Sequence, residues 1–154
     1  RQRQMCIRDR FIGGVILLRK QDINDEITGK VSYPCSYTSK ELASEIRKYI
    51  RSARVENRLH VIITDVVIIN DEIAFCFSAE HIKKSFSCRK LFKPKRFSIV
   101  EAIGISDNLH IFMNEKLKRI NRYYGTGYKL KFIKQTMKEG DNQILICLLA
   151  EKSL

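Results

Sequence analysis

The chain has 154 residues, a formal net charge of +12 and 44% hydrophobic residues, with seven glycines, two prolines and no tryptophan. This composition excludes a disordered, collagen-like or disulfide-dense chain and fits one compact domain or two small modules. No catalytic signature motif is present, so the sequence limits the function without naming it. The excess of lysine and arginine favours a polyanionic partner.

The first ten residues, RQRQMCIRDR, resemble translated sequencing-adapter read-through of the kind that heads many metagenomic sequences. We therefore exclude residues 1–10 from the fold analysis as a non-native segment, and we expect the natural N-terminus to be missing. Four arginines and one aspartate give this segment a charge of +3, so the remaining 144 residues still carry +9. The protein stays basic without the segment.

The cysteines give no sign of a metal site or of a disulfide framework. Beyond residue 10 they are Cys35, Cys76, Cys88 and Cys147, with no C-x-x-C pair and no histidine at zinc-finger spacing. We therefore predict no structural metal and no cofactor. Reduced thiols of this kind favour a cytoplasmic protein.

The longest apolar runs are too short to cross a bilayer as helices. Residues 11–18, 61–69 and 144–150 all fall below the roughly 20 residues that a membrane span requires, and they read as strands. We therefore expect no membrane partner. An alternative for residues 11–18 is the tail of a truncated signal or membrane segment.

In chain order, two strands come first, and a helix follows them. Residues 11–18 and 26–33 are predicted strands around a polar turn at 21–25. Thr38 or Ser39 begins a helix, with Glu41 in the first turn where a carboxylate favours the helix dipole. Its apolar residues fall at helical spacing and form one face: Leu42, Ile46, Tyr49, Ile50 and Ala53.

A predicted hairpin completes the first half, and the second half has a similar order of elements. Strands at 59–69 and 73–78 are joined by the tight-turn pair Asn70-Asp71. Residues 97–105 form a strand or a short helix. Ser106 or Asp107 then caps a helix to about Tyr124, which the glycines at 125 and 127 end, and strands follow at 128–134 and 143–150.

The two halves align without gaps when the sequence is shifted by 71 residues. Residues 42–81 then match 113–152, and the identical pairs include those of Leu59, Ile62, Ile73, Cys76, Ala79 and Glu80. We predict an α+β two-layer sandwich in which two α-β-β units, or β-α-β-β units, form one antiparallel-rich sheet with both helices on one face. The units are 11–81 and 97–154, with a basic connector at 82–96.

The second unit, from Phe97 to Lys152, resembles the small β-α-β-β domains of dodecin and of several families without assigned function. The resemblance lies in the element order and in the Gly127-Tyr128-Lys129-Leu130 step into the second strand. Dodecins stack flavin on a tryptophan, and this chain has none, so the cofactor role does not carry over. The resemblance implies a tendency to assemble through sheet edges.

Positive charge is concentrated on the connector and on one side of the helices. The connector contains no acid and interleaves its cations with Phe86 and Phe92. The candidate binding residues are Arg47, Arg51, Arg54 and Arg58 on the first helix, Lys118 and Arg122 on the second, and Lys83, Lys84, Arg89, Lys90, Lys93, Lys95 and Arg96 in the connector. Cations beside aromatic rings suit phosphates and unstacked bases, which predicts non-enzymatic binding of nucleic acid or another polyanion.

Four other interpretations remain open at the level of sequence. The cations are alternatively a solvated helix face or a docking surface for an acidic protein. The domain is alternatively an interaction or self-assembly module, which includes a homo-oligomer. Asp65 and Glu72, on adjacent strands, are the carboxylates that an Mg²⁺-dependent nuclease would use, although the lysine of that pattern is replaced by Ala74.

Overall fold

The computed structural model describes residues 16–20, 27–82, 94–138 and 140–153. The elements are β1 (Ile16–Lys20), β2 (Ile27–Pro34), α1 (Ser39–Asn57), β3 (Leu59–Ile69), β4 (Glu72–His81), β5 (Arg96–Gly104), α2 (Leu109–Tyr124), β6 (Tyr128–Met137) and β7 (Gln143–Lys152). The predicted α+β class is confirmed. Residues 11–15 and the predicted turn at 21–25 lie outside the described residues. No described helix combines the length and apolar character that crossing a bilayer requires.

The strands form two antiparallel sheets, so the prediction of one shared sheet is wrong. The first sheet has the order β1-β2-β4-β3, and the second has the order β5-β7-β6. In each half a strand precedes the helix and pairs with the last strand of the hairpin: β2 pairs with β4, and β5 pairs with β7. Both halves therefore have the element order β-α-β-β.

Local side chains determine where the helices begin. The helix α1 begins at N-cap Thr38, one of the two predicted starts. Thr38 accepts a hydrogen bond from the backbone N–H of Glu41, and Glu41 accepts one from the N–H of Thr38, which forms a capping box. Asn108, not Ser106 or Asp107, is the N-cap of α2, because its Oδ1 accepts from Ile111. Asp107 instead accepts a bond from the N–H of Gly104 and closes the preceding turn.

The two hairpins have the same plan but different registers. Asn70 and Asp71 have φ of 46° and 62°, as the predicted two-residue turn between β3 and β4 requires. Each outer strand contains a bulge, at Thr64 in β3 and at Ile133 in β6. These bulges are 69 residues apart, whereas Cys76 and Cys147 are 71 apart. The gapless alignment is therefore wrong for β3 and β6, which correspond at a shift of 69 residues. The loop between β6 and β7 is longer than the turn between β3 and β4 and accounts for the two-residue difference.

The second sheet is buried on both faces, and the two helices lie on opposite sides of it. Its residues Val100, Leu145 and Cys147 belong to the core cluster that contains α1 and the first sheet. Ile146 and Leu148, which alternate with them along β7, pack with Ile120 of α2 and its neighbours. The predicted placement of both helices on one face is wrong, because α1 packs against both sheets.

Hydrogen bonds between Ser39 and Asp141 join the two halves at the start of α1. Ser39, fully buried at the start of α1, donates through its hydroxyl and its N–H to Asp141 Oδ2, both at 2.8 Å. Partial burial acts to raise the pKa of Asp141, but the bonds from Ser39 and Gln143 and the charge of Lys138 outweigh it, and the pKa lies below its usual value. Ionised Asp141 thus anchors the helix to the loop between β6 and β7.

Replacement of Leu145 tests whether the halves share one core. Leu145 is 2% exposed and belongs to the cluster that contains α1. We expect Leu145→Ala to lower the free energy of unfolding by about 2–4 kcal/mol, because it leaves a cavity between the halves. The urea transition should remain single when followed by circular dichroism and tyrosine fluorescence. Val55→Ala, at a residue 68% exposed, is the control and should change stability by less than about 0.5 kcal/mol. Two separate transitions would contradict a shared core.

Candidate nucleic-acid interface

Three arginines of α1, Arg47, Arg51 and Arg54, form a stripe that follows the boundary between this helix and β5, and the C-cap residue Arg58 extends it. Their spacing places them within one narrow arc beside the buried face of the helix. Arg47 Nη1 donates to the backbone oxygen of Val100 at 2.7 Å, so this guanidinium helps to hold β5 on the helix. Arg51 is exposed, and Arg54 lies close enough to His60 and Tyr124 to affect the pKa values of both.

The stripe ends where β5 begins, and several cations meet there. We call the group Arg54, Arg58, His60, Lys95 and Arg96 the basic corner. His60 Nε2 lies 2.6 Å from the backbone oxygen of Arg96, which fixes the start of β3 against the start of β5. Arg58, in the left-handed conformation at the end of α1, accepts a bond from the N–H of Ile82 through its backbone oxygen.

Aromatic rings pack next to the basic corner. Tyr124 lies 5.1 Å from Phe97 and 6.1 Å from Tyr128, measured between ring centroids, and Tyr123 meets Tyr124 edge to face at 4.8 Å. The Tyr128 hydroxyl donates to the backbone oxygen of Pro94, and Lys152 Nζ lies 5.7 Å from the Tyr128 ring centroid. This aromatic cluster therefore joins the end of α2 to the residues just before β5.

His60 is held in its neutral form within the corner. Partial burial, the largest cause, lowers the pKa of His60 below its usual value. The bond to the Arg96 oxygen and the carboxylate of Glu80 oppose the shift, while the charges of Arg54 and Arg96 add to it. Because a carbonyl oxygen only accepts hydrogen bonds, Nε2 is the protonated ring nitrogen, and it donates a hydrogen bond to the backbone oxygen of Arg96. A polyanion bound here would favour the charged imidazolium.

Two carboxylates moderate the positive charge of this surface. Glu80 is the ladder partner of His60, and Glu151 is the ladder partner of both Arg96 and Lys129. The corner cations Arg54, Arg58, Lys95 and Arg96 outnumber these carboxylates. The corner thus retains a net positive charge, which an anionic ligand can reach because Arg58, Lys95 and Arg96 are exposed.

The structure brings together only part of the predicted set. Lys83, Lys84, Arg89, Lys90 and Lys93 lie outside the described residues. Lys118 and Arg122 are exposed on α2, which covers the face of the second sheet opposite α1. Lys118 is therefore separated from the stripe, whereas Arg122 directly precedes the Tyr123–Tyr124 pair.

Sequence analysis missed three residues at this end of the molecule: His60, Arg119 and Tyr123. His60 lies between Arg54 and Arg96 only because the two sheets are in contact. Arg119 and Tyr123 are both exposed and lie one helical turn apart on α2. The sequence contained a signal for the last two, because Arg119 and Tyr123 are four residues apart and therefore lie on the same side of a helix.

The predicted pair of nuclease carboxylates is not brought together. Asp65 faces Cys76 across the ladder, so Glu72 lies four residues further along β4, about 13 Å away at the usual rise of a strand. Asp65 Oδ1 accepts a bond from the N–H of Val66 and lies 3.4 Å from Lys134 Nζ. Among the described residues, no three histidine, cysteine or acidic side chains form a group able to hold a metal. Asp65 and Glu72 therefore do not form the carboxylate pair that the nuclease hypothesis requires.

Comparison of the chain with family models gives no match. Neither the curated proteins nor the solved structures give a match. The interpretation of the basic corner therefore depends on its own geometry and charge.

The His60 pKa predicts how stability changes with pH. Because the folded value lies below the unfolded value of about 6.5, the unfolded chain takes up the proton first as pH falls. The contribution of neutral His60 is therefore complete above about pH 6.5 and is lost below it. We expect the wild type to lose more stability than His60→Gln between about pH 7.5 and about pH 5.5, measured by urea unfolding. Equal losses in both proteins would contradict the assignment.

Proposed function

We propose that this protein is a non-enzymatic domain that binds nucleic acid through the basic corner and the arginine stripe leading to it. The observation that carries the proposal is the convergence of cations from two distant segments, the end of α1 and the start of β5, beside an aromatic cluster whose Tyr123 ring is exposed. The described part of the chain contains free thiols at Cys35, Cys76 and Cys147, which suit a reducing compartment, and we propose the cytoplasm as its location.

The connector adds to this proposal through the positions of its two ends. Ile82 is bonded to Arg58, and Pro94 is bonded to Tyr128, so both described ends of the connector lie beside the corner. The segment that joins these two ends contains five further cations, at 83, 84, 89, 90 and 93. A phosphate backbone bound at the corner gains from this charge without any sequence-reading contact, which makes the binding mainly electrostatic.

The double variant Arg54→Gln/Arg96→Gln tests the basic corner. Removal of two phosphate contacts should weaken binding to labelled DNA or RNA about tenfold at moderate salt, and it should lower the salt slope by about 1–2. Fluorescence anisotropy at several salt concentrations measures both effects. Thermal unfolding of the variant confirms that it remains folded.

The matched control for this test is Lys40→Gln/Lys48→Gln. It removes the same number of positive charges, both from α1. Lys40 lies about 20 Å along the helix from Arg54, and Lys48 is paired with Glu45. The control should retain more of the affinity than the corner variant. Equal weakening by the two variants would show a diffuse charge effect and would overturn the corner as the binding site.

A second candidate function is self-assembly through the edge of the second sheet. β6 is an edge strand, and two of its apolar side chains are exposed, Phe132 at 44% and Met137 at 57%. Exposed edges of this kind can pair with another copy. Sedimentation should then show a dimer that Phe132→Lys reduces, because a charge on an edge opposes pairing. A monomer throughout the micromolar range would reject this candidate.

A further inference from the structure

Tyr123 is an exposed aromatic side chain that its neighbours hold in place. Its side chain is 61% exposed at the last turn of α2, and its ring meets Tyr124 at an interplanar angle of 87°. Tyr124 in turn packs on Phe97 and on buried Tyr128. The ring is therefore positioned before any ligand arrives, which lowers the entropy cost of stacking on it.

Cations and open space lie beside this ring. Arg119 is one turn earlier on the same side of α2, and Arg122 directly precedes Tyr123; both are exposed. Arg54 of the basic corner acts on the pKa of Tyr124, although burial and the neighbouring Tyr123 hydroxyl raise that pKa overall. Gly125 follows the helix, and a side-chain carbon added there would meet no described heavy atom within 4 Å.

We propose that the ligand of this surface is a single-stranded nucleic acid, one unpaired base of which stacks on the Tyr123 ring while Arg119 and the basic corner hold its phosphates. The inference rests on the proposed function and specifies the ligand class for the same surface. Any base presents a flat face to a ring, so stacking of this kind tolerates every sequence.

Two features favour a single strand over a duplex. A base in a duplex is stacked on both sides by its neighbours, and it offers no free face to Tyr123. α1 packs against both sheets, and Arg47 is bonded to Val100, so this helix does not project as a helix that enters a major groove must. The stripe is instead a track beside which an extended backbone can lie.

The test compares three ligands that have the same number of phosphates: an oligothymidylate of about 12 nucleotides, an abasic strand of that length, and a hairpin duplex. Tyr123→Ala should lower affinity for oligothymidylate about tenfold and leave affinity for the abasic strand unchanged. Tyr123→Phe should keep the affinity of the wild type, because it keeps the ring. Ile111→Ala is the control for loss of another exposed apolar side chain of α2, at the opposite end of the helix, and should change neither affinity.

The outcomes separate this inference from the proposed function. Equal affinity of the wild type and Tyr123→Ala for oligothymidylate would overturn the stacking role, and tighter binding of the duplex would overturn the single-strand assignment. In either case, loss of abasic-strand binding in Arg54→Gln/Arg96→Gln would still support the basic corner. Failure of the wild type to bind any of the three ligands would overturn both proposals.

Discussion

The second sheet must be covered on both faces, and the rest of the structure follows from that constraint. α2 covers one face, while α1 and β3 cover the other, where Val100, Leu145 and Cys147 are buried. This arrangement lays α1 along β5, so that Arg47 reaches the Val100 oxygen near the middle of β5 and Arg54 comes near its start. The basic corner is thus a consequence of core packing, because the same contact that buries the apolar face brings the cations together.

Much of the local structure follows from the sequence, but the joining of the two halves does not. The helix start at Thr38 and the Asn70-Asp71 turn depend on neighbouring residues and were predicted. The predicted N-cap of α2 was wrong because Ser106, Asp107 and Asn108 are all favourable N-cap residues. The Asp107 side chain accepts a hydrogen bond from Gly104 instead of capping the helix. One sequence signal for two-sided burial was present. β7 reads as the almost continuous apolar run ILICLLA, whereas β4, IAFCFSA, has small or polar residues at alternate positions.

The candidate site shows a similar division between local and tertiary information. Helical spacing predicts the arginine stripe, but the contacts that each arginine makes depend on the sheet that lies beside the helix. Arg47 bonds a backbone oxygen, while Arg54 enters the corner, and no property of either residue distinguishes them in the sequence. The neighbourhood of His60 combines β3 with β5, elements from different halves. The periodicity of a helix relates residues three or four positions apart, so it cannot predict a contact between His60 and Arg96, which are 36 residues apart.

The contact between the halves joins unlike surfaces, a helix side and a sheet face, and such a contact can in principle continue from one molecule to the next as a filament. The first sheet does not permit this growth. Where the buried face of the second sheet has Val100, Ala102 and Leu149, the corresponding ladder positions of the first have Lys30, Ser32 and Ser78. Covering these polar groups without partners would cost about 1–3 kcal/mol each. These polar side chains on the outer face of β2 and β4 therefore oppose the stacking of a further unit on the first sheet.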